Sequence, residues 1–372
     1  MKNEIIIFLP KVFNEPFFNL NVITIYLYYG MKEIGLNPKI VELSATGDQN
    51  TLPKNIENYD LAKYSDLSYY LEDYSYFLGY DVDIFLKYLR KTKTDKKILI
   101  WAQYFSGSRF IFKSYYDLAT LTKLKKIEGY TSLYIIPPFL WRFITRKYVN
   151  TLRSNYLISQ SLWTSLLLNR VYNLKSAGVV YLPVMENIFP KNYSERDKIT
   201  IFFGNYNDTY IEDVINILYS IKNDLKKYQI ISYGTSSSSF KFSDLFSLKL
   251  GQKIEHYHRI ETHKLYELMS SSVFSISPIF VGNFEYMPIE SLMCGTPVLT
   301  YQQPFMEVTG STNMIANIED PENSSRRILS WLKGIENNEI NAIKGRILDN
   351  MDYRIVAKKI FYYINNLYSQ KN

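Results

Sequence analysis

Short apolar runs rich in β-branched residues alternate along this chain with longer segments whose apolar positions recur at helical spacing. The first run, Glu4 to Pro10 (EIIIFLP), has the continuous hydrophobicity of a parallel strand covered on both faces. A loop leads from it to a helix predicted over Asn21 to Ile34, with Gly35 as its stop and Pro38 beyond. Lys39 to Leu43 reads as the next strand. Ser44 to about Tyr80 is polar and tyrosine-rich and reads as helix and loop excursions, and Lys97 to Gln103 (KILIWAQ) is a further buried strand. Asn155 to Ser159, Ser165 to Leu168 and Val179 to Pro183 give strand, helix, strand.

The alternation then restarts. Ile199 to Gly204 is a strand, Ile211 to Lys222 a helix and Tyr228 to Gly234 a strand. A Thr-Ser loop follows, then a helix over His263 to Ser270 and a strand over Val273 to Ser277. Near the end, Met314 to Ile318 reads as a strand and Ser324 to Leu332 as a helix. Ile355 to Leu367 carries Val356, Ile360, Phe361, Ile364 and Leu367 along one side of another. Two such α/β halves predict two facing Rossmann-like domains with a cleft between them, at 1–190 and 191–350, followed by a helix at 351–372. The polar stretch at about 187–197 is the expected linker.

One stretch carries more than pattern. Pro278 to Leu299 reads PIFVGNFEYMPIESLMCGTPVL. It predicts a loop after a strand, a helix opening at Pro288 with Glu290 in its first turn, a left-handed stop at Gly295 and a returning strand to Tyr301. A strand, loop, helix and strand make the corner at which open α/β sheets hold ligands. Pro278, Phe284, Pro288, Glu290, Met293, Cys294, Gly295, Thr296, Pro297 and Val298 stand at the spacing of a known donor-site signature. The stretch resembles that of GT-B glycosyltransferases of the group 1, family 4-like kind. The first glutamate of that signature falls on Gly282, and the glycine after it on Glu285. LPVMENIFP, with Pro183, Asn187, Phe189 and Pro190, is similar to a second run of the family that has lost its Asn-Gly pair.

The resemblance implies two Rossmann-like domains, sugar transfer from a nucleotide-diphosphate donor held by the second domain, and the last helix crossing back to the first. It implies a retaining reaction without a catalytic metal or other cofactor, in which the leaving phosphate assists the acceptor. Glu290 would accept hydrogen bonds from the two ribose hydroxyls. An ionised carboxylate only accepts and can take two donors side by side, which suits a vicinal diol. Gly282, Asn283, Phe284 and Glu285 would offer backbone N–H groups to the sugar and diphosphate, and Thr296 lies on the return loop. Related enzymes follow the first strand of this domain with an Arg and a Lys for the diphosphate; here Gly204-Asn205-Tyr206-Asn207-Asp208 contains neither. Arg259, in the loop that meets the nucleobase, is the expected replacement, with Lys241, Lys264 or the hydroxyls of Thr235 to Ser239 as others. Where the family has a histidine near the transferred sugar, this chain has Gln103 or Tyr104. Gln103 and Arg259 are thus the candidates nearest the chemistry, and no general base is identified.

Composition narrows the partners. Forty-three Lys and Arg against 36 Asp and Glu leave a net charge of +7, which favours phosphate-bearing partners: nucleotide sugars, lipid phosphates, anionic membranes or nucleic acid. A single cysteine excludes a disulfide framework, and Cys294 is expected to pack as a small hydrophobe. Glu4 interrupts any secretory leader, and no apolar run is long enough to span a bilayer, so the expected location is cytoplasmic or peripheral at a membrane. Residues 137–153 pair aromatics with Arg142, Arg146, Lys147 and Arg153 and no acid, the composition of a helix on an anionic bilayer or of a domain helix with one solvated face. Asp81-Val82-Asp83 matches a two-carboxylate metal pattern but reads as the opening of a strand. His256, His258 and His263 bunch without a completing cysteine, so no metal site is expected. The acceptor is expected to be a glycan, a lipid-linked sugar or another hydroxyl. DNA is an alternative acceptor, as for base-glucosylating enzymes, although no arginine-rich stripe marks it. A non-catalytic nucleotide- or sugar-binding protein on the same scaffold is the reading from a different class.

Overall fold

A computed structural model describes residues 4–10, 18–46, 56–74, 76–80, 83–92, 96–102, 146–190, 195–203, 211–234, 237–258, 260–279, 284–301 and 304–369. Two units emerge: one holds the described residues up to 185 together with 349–369, the other 186–348. The first is built on β1 (Glu4–Pro10), β2 (Asn37–Ser44), β3 (Tyr59–Lys63), β4 (Tyr76–Tyr80), β5 (Leu99–Ala102) and β6 (Tyr156–Ser159). They lie in the order β3-β2-β1-β4-β5-β6. The second unit has β7 (Lys198–Phe202), β8 (Gln229–Tyr233), β9 (Ile254–Tyr257), β10 (Ser272–Ser277), β11 (Val298–Thr300) and β12 (Ile315–Asn317). Their order is β12-β11-β10-β7-β8-β9. Every pairing within both sheets is parallel.

Each sheet therefore has doubly wound topology, with the strand order reversing once: between β1 and β4 in the first, between β7 and β10 in the second. Such a reversal leaves a crevice at the carboxyl ends of the two strands, because successive crossovers leave in opposite directions. Helices cover both faces, so the central strands are apolar on both sides. Ile5, Ile6, Ile7 and Phe8 of β1 are fully buried, as are Ile199 and Ile201 of β7.

Several expectations need correction. The tyrosine-rich stretch before Tyr80 contains β3 and β4, and β4 is a central strand beside β1. Its YFLGY is short, but Tyr and Phe suit a pleated, buried surface. Asp83 opens a helix, Asp83–Lys91, and no strand: Phe85, Leu86 and Leu89 form one buried helical side. Residues 237–239 of the expected Thr-Ser loop begin the helix Ser237–Leu250, which β9 follows. The helix Asn337–Met351 was not expected at all. Most of 137–153 lies outside the described residues, its remainder forming the helix Arg146–Arg153.

The helix Tyr353–Ser369 packs against the helix Phe18–Glu33 and against β4 and β5. It buries Val356, Ala357, Ile360, Ile364 and Leu367 there, with Phe361 half-buried at the margin. Gly30 makes the approach possible, since a Cβ there would stand 2.3 Å from the Tyr353 carbonyl oxygen. Val184 accepts from the Tyr353 N–H at 3.0 Å and donates its own to Met351 at 2.6 Å, fastening the start of this helix to the first unit.

Candidate nucleotide-binding site

Glu290 is the most distinctive group at the carboxyl edge of the second sheet. Its helix spans Tyr286–Met293, two residues earlier than Pro288 suggested, so Pro288 is the third residue and Glu290 the fifth. The proline still fits, because N–H groups in the first turn have no intrahelical partner to lose. Glu290 thus lies beyond the first turn, and its position owes more to its neighbours than to the helix end. At the other end Gly295 has φ +73°. Its N–H donates to Leu292 and that of Thr296 to Ser291, both at 2.9 Å, the paired bonds of a Schellman stop.

Small hydroxyl side chains let this helix lie close on the sheet. Ser291 Oγ donates to Ser275 Oγ at 2.9 Å. Thr296 is fully buried and its hydroxyl donates to the Met269 carbonyl at 2.6 Å, so it closes the corner and offers nothing to a ligand. From below, Arg196 Nη2 donates to the Gly295 carbonyl at 2.7 Å.

The Glu290 side chain is part-buried and accepts a hydrogen bond from Tyr266 Oη at 2.8 Å. Tyr266 belongs to the preceding helix, Thr262–Ser270, is buried, and packs its ring against Phe189 with centroids 4.7 Å apart. Burial pushes the Glu290 carboxyl up to about 7, and the Tyr266 hydroxyl opposes that rise. Burial and the neighbouring Glu290 charge push the Tyr233 phenol well up, and the same two causes raise the Cys294 thiol. Cys294 is fully buried, a packing residue and not an available nucleophile.

Three further hydroxyls mark this edge. Tyr233, Ser277 and Thr300 end β8, β10 and β11, are buried, and have no hydrogen-bond partner among the described residues. Ser277 and Thr300 are register partners, two residues beyond the pair that includes Ser275, and so share the face of the Glu290 helix. Tyr233 shares it as well, since its partner Phe202 lies two residues beyond Thr200, the partner of Ser275. Leaving such a group unsatisfied costs about 1–3 kcal/mol. A part-buried carboxyl group and three buried hydroxyls thus lie on one face of the sheet beside the strand reversal.

Of the residues expected from sequence, Glu290 lies part-buried on this face of the sheet. Phe284 is buried and Glu285 half-buried, the latter at the N-cap of the helix in extended backbone. Gln103, Gly204, Asn205, Arg259, Gly282 and Asn283 lie outside the described residues. Lys264 is exposed and pairs with Glu261 at 3.1 Å, and Lys241 is exposed on the helix Ser237–Leu250. The histidines spread: His256 Nδ1 bonds the Ser232 hydroxyl at 2.9 Å, and His263 lies 3.7 Å from Glu261. Among the described residues no three His, Cys, Asp or Glu side chains are placed to hold one ion. Tyr266 and Tyr233 escape sequence reading, because two tyrosines among 34 carry no signal of their own.

No protein-family model matches the sequence, and no curated protein matches it either. Solved structures do match over nearly the whole chain. Sucrose-phosphate synthase from Thermosynechococcus elongatus superposes with a TM-score of 0.73 at 12% identity, covering 98% of this chain and 99% of that one. An α-glucosyltransferase in complex with UDP and a 13-mer DNA containing a HMU base gives 0.64 at 12% identity, over 97% and 99%. A trehalose-6-phosphate protein from E. coli bound with UDP-2-fluoro glucose gives 0.65 at 12% identity, over 97% of this chain and 98% of that one.

This is the GT-B fold. The two doubly wound sheets are its two Rossmann-like halves, and at these identities the likeness is one of fold. In GT-B terms, Glu290 lies beside the strand reversal of the second half.

Proposed function

We propose that the chain is a glycosyltransferase that takes a sugar from a nucleoside-diphosphate donor and passes it to a hydroxyl acceptor. The observation that carries the reading is the Glu290 carboxyl, held by Tyr266 at the carboxyl edge of the second sheet, inside a stretch with the spacing of a GT-B donor signature. The ionised carboxylate accepts from the two ribose hydroxyls. By the resemblance of the signature, the backbone N–H groups of Gly282 to Glu285, with Gly204 and Asn205, are the groups assigned to the diphosphate, and Arg259 is the cation assigned to offset the charge that gathers as the donor bond breaks. The new bond forms between the acceptor oxygen and the anomeric carbon as the bond to the diphosphate breaks. The electron pair leaves with the nucleoside diphosphate, whose phosphate oxygen takes the acceptor proton. Transfer with retention and without a metal follows the resemblance of the signature. Gln103, the residue that follows β5 in sequence, is a candidate for contact with the transferred sugar.

Structural neighbours crystallised with UDP and with a UDP-sugar analogue support a uridine donor as the first to try. The test is a panel of nucleotide sugars scored by thermal shift and by slow donor hydrolysis. At a hundred times the dissociation constant a true donor stabilises the fold by about 2.7 kcal/mol. Glu290→Ala should abolish that shift, and the anomeric configuration of any product reads the stereochemistry. A panel in which nothing binds at millimolar concentration sinks the reading. Binding with neither hydrolysis nor transfer leaves a nucleotide-binding protein on the same scaffold.

A further inference from the structure

One face of the first unit is strongly cationic. Strands β4, β5 and β6 lie side by side in that order, so right-handed crossovers bring the helices Asp83–Lys91 and Arg146–Arg153 to one face, where they pack together. The next helix, Leu162–Tyr172, adjoins them, its Tyr172 carbonyl 3.4 Å from Arg153 Nη2. Lys87, Arg90 and Lys91 are exposed on the first of these helices, and Arg146, Lys147 and Arg153 on the second. Arg170 is exposed on the third and Lys175 just after it. Not one Asp or Glu occurs between Glu128 and Glu186, so Arg146, Lys147, Arg153, Arg170 and Lys175 have no acid within their own stretch, whereas the first helix begins with Asp83 and packs against the turn Tyr64–Asp66.

The third helix adds a different property. Leu162 is 53% exposed, Trp163 38% and Leu166 44%. At spacings of three and four they form one apolar patch, and Arg170 continues the same stripe one turn further. Exposed leucines beside a tryptophan are costly in water and add nothing to contact with phosphate alone. Together with surrounding cations they match an interfacial surface: the apolar side chains enter the boundary between headgroups and acyl chains, and the long basic side chains reach the lipid phosphates. Nucleic acid would meet the same charge but has no use for the two leucines.

We propose that this face of the first unit docks on an anionic lipid bilayer, with Leu162, Trp163 and Leu166 inserted and Arg146, Lys147 and Arg170 among the cations on the headgroups. Docking of this kind brings a membrane-borne hydroxyl acceptor to the protein, but it stands independently of glycosyl transfer, since it is read with no nucleotide sugar present.

The test is co-flotation of the full chain with phosphatidylcholine vesicles, with and without phosphatidylglycerol. The wild type should float only with the anionic vesicles and be released as salt rises from about 0.05 to about 0.5 M. Arg146→Gln, Lys147→Gln and Arg170→Gln together should lower the partition coefficient by about fivefold per cation removed. Leu162→Gln, Trp163→Gln and Leu166→Gln together should remove most of the binding while leaving the thermal midpoint unchanged. If that apolar variant fails to fold, the charge variant decides alone. A wild type indifferent to phosphatidylglycerol, or a folded charge variant that floats like the wild type, overturns the proposal. So does binding to a short DNA duplex as strong as to vesicles and unaffected by the apolar variant, which assigns the face to nucleic acid.

Discussion

Glu290 is a carboxyl group whose two settings of charge have opposite consequences. Its pKa rises from 4.5 to about 7 because folding removes it from water. Below about pH 4 both folded and unfolded chains hold the proton and the group costs nothing extra. Between there and about 7 the unfolded chain ionises while the folded one stays protonated, so stability falls across that window, by on the order of 3 kcal/mol, and is flat above it. Glu290→Gln should remove most of this fall and leave the protein more stable than wild type in urea at pH 8. Equal slopes of stability against pH in the two proteins would contradict it. Nucleotide-sugar affinity should run the other way, rising with pH through about 7, since only the carboxylate accepts from both ribose hydroxyls. A nucleotide sugar is the right probe here, because its diphosphate has no group titrating near neutrality.

Tyr266 sharpens the same balance. Its hydroxyl donates to the Glu290 carboxylate at 2.8 Å and, among the described residues, holds that pKa down. Tyr266→Phe should move the midpoint of the affinity profile above about 7 and weaken binding at pH 7 by tenfold or more, the scale of a hydrogen bond to a charge. A midpoint that stays put while affinity drops would mean that Tyr266 acts only through packing on Phe189.

At the scale of elements, what was legible follows from pattern strength. β1 is read to the residue, and the helix Phe18–Glu33 to within three, because continuous apolar runs and a glycine stop admit few alternatives. β4 is hidden by its tyrosines, and the helix Ser237–Leu250 by a serine-rich start that resembles a loop. Asp83 and the residues after it are too few to distinguish a strand from a helix without knowing which side is buried. Within the signature, Gly295 and Cys294 behave as their spacing implies, whereas Pro288 opens no helix: apolar Tyr286 and Met287 extend it backwards. The hydrogen-bond partner of Glu290, Tyr266, lies 24 positions away, and Tyr233, whose phenol feels its charge, 57, both beyond the reach of local pattern. Helix contact also yields a prediction. Gly30→Ala would set a Cβ 2.3 Å from the Tyr353 carbonyl oxygen, and should destabilise the fold by about 1–3 kcal/mol despite better helix propensity. An unchanged melting temperature would show that the two helices part easily.

At the scale of the whole chain, two sheets of the same winding each bring one strand reversal to their carboxyl edges. That repetition is visible in the sequence as an alternation restarting near Ile199. Chemistry was visible only where residues cluster in sequence. The residues expected at the diphosphate, Gly204, Arg259 and Gly282, stand where the sequence departs from related enzymes, so the proposed ribose contact of Glu290 is the part of the site most open to test. That contact is the centre of the account. Calorimetric titration of the wild type and of Glu290→Gln with a nucleoside diphosphate and its 2′,3′-dideoxy form isolates it. The account predicts that the wild type prefers the ribo form by tenfold or more, as a carboxylate accepting two hydroxyl hydrogen bonds requires, and that Glu290→Gln loses most of the preference. Equal affinity of the wild type for the two forms, or a preference that survives in Glu290→Gln, would contradict it.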